Sequence, residues 1–200
     1  KRFIGEVNMK FFILIFSLVL GCSISQDSTI ESGLIAEEPE VVIGIQNDQN
    51  CSHGIGDSPC NFLLRNQEDV PWELYAHSGN PVVIDFSAMW CGPCKSAASH
   101  ADTIQEEYEY AGLEYVTVLI QDTEGNSPDL EDVQLWSQSF NIEKTDVLQG
   151  SYDMVDYTSE SGYPITSWPT FVFINSDMKI HMGMYGWSED SVKKYIEEML

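Results

Sequence analysis

Two hundred residues, 43% hydrophobic and 12% aromatic, suffice for one domain with a packed core and exclude a wholly disordered chain. Thirty-two Asp and Glu against nine Lys and Arg give a formal net charge of −23. That balance excludes nucleic acid as the expected partner, because phosphate binding needs clustered cations, and it argues against charge-driven adhesion to anionic lipid.

The run FFILIFSLVL at 11–20 contains one polar residue, Ser17. It is about half the ~20 residues that a membrane-spanning helix needs, and with Lys10 before it the run has the build of a secretory signal. Residues 1–21 are therefore expected to be a signal peptide, with Met9 as the start. Val19-Leu20-Gly21-Cys22 resembles a bacterial lipobox, in which cleavage before the cysteine leaves Cys22 lipid-modified. The Ser23 that follows implies, on that resemblance, sorting to the outer membrane. An ordinary signal peptide with Cys22 incidental is the alternative. Residues 22–50 then read as a lipid-anchored flexible tether, since 23–50 hold six acids, no Lys or Arg and little apolar periodicity. A short strand within 41–43 is the competing reading. The folded domain is expected over 51–200.

Four cysteines remain, Cys51, Cys60, Cys91 and Cys94, an even number in a chain expected to be exported. Three pairings are possible, and local spacing favours Cys51 with Cys60 as a structural staple and Cys91 with Cys94 as a redox pair. Cys51, His53 and Cys60 could offer three metal ligands, but no fourth lies at a familiar spacing, so no metal is expected.

The β-branched run Val82-Val83-Ile84-Asp85-Phe86 predicts a buried strand leading into Trp90-Cys91-Gly92-Pro93-Cys94-Lys95. A helix follows over about 96–110, with Ala97, Ala101, Ile104 and Tyr108 on one face. Cys-x-x-Cys at a strand-to-helix junction suits redox chemistry. The first cysteine sits at the helix N-terminus, where free N–H groups and the helix dipole stabilise a thiolate. The second, one turn inside, can attack a mixed disulfide and release product.

On these residues the chain resembles the thioredoxin superfamily, which implies an α/β thioredoxin fold, a central mixed sheet flanked by helices. The resemblance implies that Asp85 is a buried carboxylate moving protons to and from Cys94, and that Pro169 in Trp168-Pro169-Thr170 is a cis-proline facing the disulfide. With Trp90, Gly92, Pro93 and Trp168, that proline would line the substrate groove, and Gly186 matches a glycine of the family. Within the superfamily the chain is most similar to anchored, exported reductases of the TlpA/ResA type. These add an N-terminal β-hairpin, matched at 56–64 and 72–74, and an insert before the cis-proline strand, here within 122–167 with a helix at 130–140 and a strand at 146–149. The hairpin partner of the 171–174 strand is expected at 179–185, and a terminal helix at 190–200.

Three departures carry expectations of their own. Ser99 replaces a proline that often kinks the active-site helix, which predicts a straighter helix. Trp168 is bulkier than the usual residue before the cis-proline and would narrow the groove or tune the potential. The lysine that thioredoxins set opposite the buried Asp has no counterpart on 115–120.

Ala88, three residues before Cys91, disfavours a peroxidase, where threonine is usual. His181, Met182 and Met184 suggest soft-metal ligands, but methionines at period two read better as strand packing. His100 reads as a helix-surface residue. The expected function is reduction of protein disulfides in the cell envelope, the periplasm, through Cys91 and Cys94, with no cofactor. The resemblance implies an upstream membrane electron donor and clients such as apocytochrome c, and the acidity favours basic clients. An oxidase or isomerase of the same fold, and a non-catalytic lipoprotein scaffold, remain as alternatives.

Overall fold

The computed structural model describes residues 44–45, 51–156 and 162–200. The chain divides into Lys1–Pro39 and Glu40–Leu200, and all described residues belong to the second unit. The expected signal peptide and Cys22 lie outside the described residues.

The 82–88 run forms the central strand because β-branched and aromatic side chains suit a sheet covered on both faces. Strands β1 (Gly44–Ile45), β2 (Phe62–Arg65) and β3 (Pro71–Glu73) precede it, and β4 (Val82–Ala88) is buried along its whole length. Next come α1 (Gly92–Ala98), α2 (Ala101–Tyr108), β5 (Glu114–Gln121), α3 (Leu130–Phe140) and β6 (Asp146–Gln149). The chain ends with β7 (Thr170–Ile174), β8 (Ile180–Tyr185) and α4 (Glu189–Met199). The main sheet has the order β6-β5-β4-β7-β8, with β4 parallel to β5 and antiparallel to β7. A separate antiparallel sheet, β1-β2-β3, carries the expected N-terminal hairpin. This is the mixed-sheet thioredoxin fold.

Side chains of β4 alternate between two cores, as period two requires. Val82, Ile84 and Phe86 pack with Phe62, Leu64 and Trp72 of the hairpin. Val83 packs on the other face with Ala97, Ala101 and Ile104 of the helices and Val192 and Ile196 of α4. The hairpin thus covers one sheet face, and the helix that carries the second cysteine covers the other.

Helix α3 occupies the expected residues, because Asp129 and Asp132 form a reciprocal capping box and Asn141 closes its end at φ 52°. The expected helix from 96 to 110 is interrupted. It breaks at Ser99 and His100 into α1 and α2, and a 3-10 turn, Glu109–Ala111, finishes it. The Ser99 hydroxyl donates to the carbonyls of Lys95 and Ser96, both at 3.0 Å, and His100 N–H bonds Ala97 O at 2.9 Å. A serine hydroxyl that captures the carbonyls of the preceding turn bends a helix without any proline. The straight helix expected from Ser99 is therefore corrected. Asp102, in the first turn of α2, then accepts N–H groups of Glu143, Lys144 and Thr145 and ties the insert to the helix.

Strand β1 lies inside the stretch read as tether. Gly44 and Ile45 pair with Leu63 and Phe62, so ordered chain begins before residue 51. Two residues leave no periodicity to read, and the unpaired edge of β2 supplies the reason for their strand.

Cys51 and Cys60 are joined in a disulfide. It closes a loop whose Gly56 N–H and Asp57 carbonyl bond the backbone of Ile180 on β8 at 2.7 and 2.9 Å. Replacing both cysteines by serine should cost about 2–3 kcal/mol through the freed loop entropy of a ~10-residue ring. Parallel denaturant titrations measure this, and an unchanged midpoint would show that the staple contributes nothing.

Candidate active site

Strand β4 ends at Ala88, and two backbone bonds shape the exit: Met89 N–H to Gln121 O at 2.9 Å and Cys91 N–H to Ala88 O at 3.1 Å. Cys91 then caps α1 in extended conformation, φ −80° and ψ 119°, with Pro93 in the first turn, where a missing N–H is harmless. The Cys94 N–H donates to Cys91 Sγ at 3.1 Å. Cys91 and Cys94 are joined in a disulfide. Cys91 keeps 4% of its surface exposed and Cys94 none, while Gly92 and Pro93 are exposed. An incoming sulfur can therefore reach Cys91 and not Cys94.

Around this pair lie Ala88, Met89, Ala98 and, half-buried, Trp168. The Trp168–Pro169 bond is cis and Pro169 is buried. The Pro169 carbonyl accepts Gly186 N–H at 2.8 Å. Gly186 sits at φ +77°, a conformation that disfavours any side chain, although the space beside it is open. Trp168 also packs against the hairpin-side core, so it forms a wall between that core and the dithiol.

Asp85 shares the helix-side face of β4 with Val83, beneath the helix that holds Cys94. It is fully buried, accepts from Ser87 Oγ at 2.8 Å and from the Tyr115 hydroxyl at 3.4 Å. Burial pushes its pKa up from 3.8 to about 7, against the pull of the two hydroxyls. A carboxyl poised there exchanges protons at neutral pH. Tyr115, held well above the ordinary phenol range by burial and by the Asp85 charge, stays a donor to that carboxyl.

Two residues of this site escaped the sequence reading. Thr117 is the register partner of Asp85, and Tyr115, two residues before it on the same face of β5, reaches the carboxyl with its hydroxyl; its signal is an aromatic on β5 with the parity of that partner. Gln121, at the end of β5, is buried and accepts the Trp90 indole N–H at 3.0 Å, leaving Trp90 51% exposed. No local pattern marks it, since its partners come from the chain's return at β4 and from the insert.

The remaining candidates lie elsewhere. His53 meets Tyr163 edge-on at 4.2 Å. His100 lies 5.4 Å from the Trp187 ring and 3.6 Å from Glu189. Met182 and Met184 pack on the Phe171–Phe173 core, and His181 faces Glu198 at 3.8 Å.

A family model described as Thioredoxin matches residues 68–138, the segment from the hairpin through the dithiol to α3. The likeness to solved structures shows the thioredoxin fold, and the matched segment holds the dithiol. The thiol-disulfide oxidoreductase ResA of Halalkalibacterium halodurans is 27% identical over 145 residues, which span 71% of this chain and 75% of that protein. ResA of Oceanobacillus iheyensis is 30% identical over 95 residues, 46% of this chain and half of that protein. Among solved structures, a chain from Chlorobium tepidum described as thiol:disulfide interchange protein DsbE superposes with a TM-score of 0.59 at 20% identity, covering 74% of this chain and 99% of its own. That likeness concerns the fold. Helix α3 of the insert packs in one cluster with Cys91 and Cys94 through Val133 and Trp136, while the hairpin packs in the separate core on the other face of β4.

Proposed function

We propose that this protein is a thiol–disulfide oxidoreductase of the bacterial envelope that reduces disulfides of client proteins. The observation that carries the reading is the asymmetry of the pair: Cys91 caps α1 with residual exposure, and Cys94 is fully buried in the same turn. Resemblance to the ResA proteins supports the same chemistry.

In the reduced protein, the Cys91 thiolate, favoured by the Cys94 N–H and the start of α1, attacks one sulfur of a client disulfide. A mixed disulfide forms and the client's other sulfur leaves as thiolate. Cys94 gives its proton to the Asp85 carboxylate and attacks Cys91 Sγ. The Cys91–Cys94 disulfide forms, the second client sulfur leaves, and two electrons have passed to the client. Trp90, Gly92, Pro93, Trp168, Pro169 and Gly186 form the groove that receives the client chain. An upstream dithiol donor at the membrane restores the pair. The lipobox-like Cys22 supports lipid anchoring, with outer-membrane sorting following from Ser23.

Equilibration of the protein with thiol buffers, read by fluorescence of Trp90 beside Cys91, tests the direction. A potential near thioredoxin's ~−270 mV is expected of a reductase. A value of ~−120 to −180 mV would make it an oxidase or isomerase, and the absence of any reversible couple would leave only a scaffold.

A further inference from the structure

Beside the dithiol, two aromatic rings stand half out of the protein. Trp90 is 51% exposed and Tyr152, in the 3-10 turn Tyr152–Met154 of the insert, is 47% exposed. They are 62 residues apart in sequence and are joined through a single buried carboxamide. Gln121 Oε1 accepts the Trp90 indole N–H at 3.0 Å, and its Nε2 donates to the Tyr152 hydroxyl and, at 3.1 Å, to the Gly125 carbonyl. Every hydrogen-bonding group of that amide is directed, so the two rings and the 122–126 turn are held as one unit. Exposing two large rings costs hydrophobic free energy, and a buried amide that holds them out marks a surface built for a ligand.

The charge around the rings says which ligand. Asp153 follows Tyr152 directly, and Asp122 and Glu124 lie in the turn that Gln121 anchors; Glu124 and Asp153 are exposed. The sequence has no Lys or Arg from 96 to 143 or from 145 to 178, and the intervening Lys144 is paired with Glu106. Lys95, on α1, is the one cation within the motif itself. Arg65 lines the cavity that Asp153 borders but is paired with Asp69, so electron-rich ring faces and an excess of carboxylates favour a positive side chain.

We propose that Trp90 and Tyr152, positioned by Gln121 and flanked by Glu124 and Asp153, form a docking platform for an Arg or Lys beside the reactive cysteine of the client. The proposal rests on the oxidoreductase reading and names its substrate class: disulfides embedded in cationic segments. The guanidinium or ammonium stacks on the rings while the neighbouring sulfur meets Cys91. Gln121 is a positioning residue that acts through Trp90 and Tyr152.

The test uses the full chain and two peptides that differ only in the residue flanking the cysteine position, Arg in one and Glu in the other. With serine in place of cysteine the peptides cannot react, and calorimetry at low salt reads binding alone. The Arg peptide is expected to bind roughly tenfold more tightly, the size of a cation held by two rings. Tyr152→Ala should remove most of that ratio, and Tyr152→Phe, which keeps the ring, should retain most of it. Gln121→Met keeps about the same side-chain length but bonds neither Trp90 nor Tyr152; it should lower the ratio, and the Trp90 emission should shift as its indole N–H loses its partner. Equal affinity for both peptides, or a ratio that Tyr152→Ala leaves intact, overturns the platform. Turnover of the cystine-bearing versions separates the two readings. Binding preference without reduction of either peptide would refute the oxidoreductase and keep the platform, whereas equal binding with equal reduction would do the reverse.

Discussion

Replacing Asp85 with Asn should stabilise the oxidised protein by about 4 kcal/mol above pH 7 and by almost nothing below pH 4. The folded carboxyl holds its proton up to about 7, whereas its ordinary value is 3.8. Each unit of such a difference is worth about 1.4 kcal/mol, which gives the magnitude. Between those two values the folded state binds more protons than the unfolded state, so the wild-type stability falls as pH rises through that window and levels off above it. Asparagine keeps one acceptor oxygen, turns its amide nitrogen to the other hydroxyl as a donor, and has no charge to bury, so its stability should not follow that fall. Denaturant unfolding at pH 4, 6 and 8 with both disulfides intact measures the effect. A gain at pH 8 no larger than at pH 4 would mean that the ionised carboxylate costs the fold nothing. The same variant should slow resolution of a mixed disulfide at neutral pH, because Cys94 loses its proton acceptor. A residue that destabilises the fold while serving the chemistry is the expected pattern for a functional buried acid.

The parts of this molecule that could be read from sequence are those whose cause is local. Strand β4 follows from the β-branched and aromatic positions Val82, Val83, Ile84 and Phe86 that flank Asp85, and α3 occupies the 130–140 segment that the resemblance implies. Strands β3 and β6 and the ends of α4 also fall within a residue of their expected places, whereas β2 occupies only the end of the segment expected at 56–64. What was hidden depends on partners far along the chain, or on a side chain that serves two roles. Ser99 reads as an ordinary helix-surface residue, yet its hydroxyl competes for carbonyls of α1 and breaks the helix. Gly44–Ile45 becomes a strand only because β2 has an edge to fill. Tyr115 and Gln121 look like sheet residues until the parallel β4–β5 register sets one against Asp85 and the other against Trp90. Motif residues define where the chemistry is; the residues that tune it are set by the register between strands.

Two cysteine variants should behave oppositely, and the difference decides which sulfur is the nucleophile. Cys94→Ser is expected to accumulate a mixed disulfide between Cys91 and the client and to release one client thiol, then stop. Cys91→Ser should form no adduct at all, and its turnover should fall to background. The asymmetry follows from position. Cys91 caps α1 and is the only sulfur of the pair with exposed surface, whereas Cys94 lies fully buried in the first turn with its N–H directed at Cys91 Sγ. Attack on a disulfide requires the two sulfurs to meet, and a buried thiol meets only the sulfur already held beside it. Serine at 94 keeps the size of the side chain and the backbone N–H that supports the Cys91 thiolate, so the first step survives and the second cannot occur. Mass spectrometry of the protein after incubation with a disulfide-containing client, with and without added thiol, reads both outcomes. An adduct on Cys94 in the Cys91→Ser protein would reverse the assignment, and it would require α1 to open far enough to expose a sulfur that the fold now covers completely.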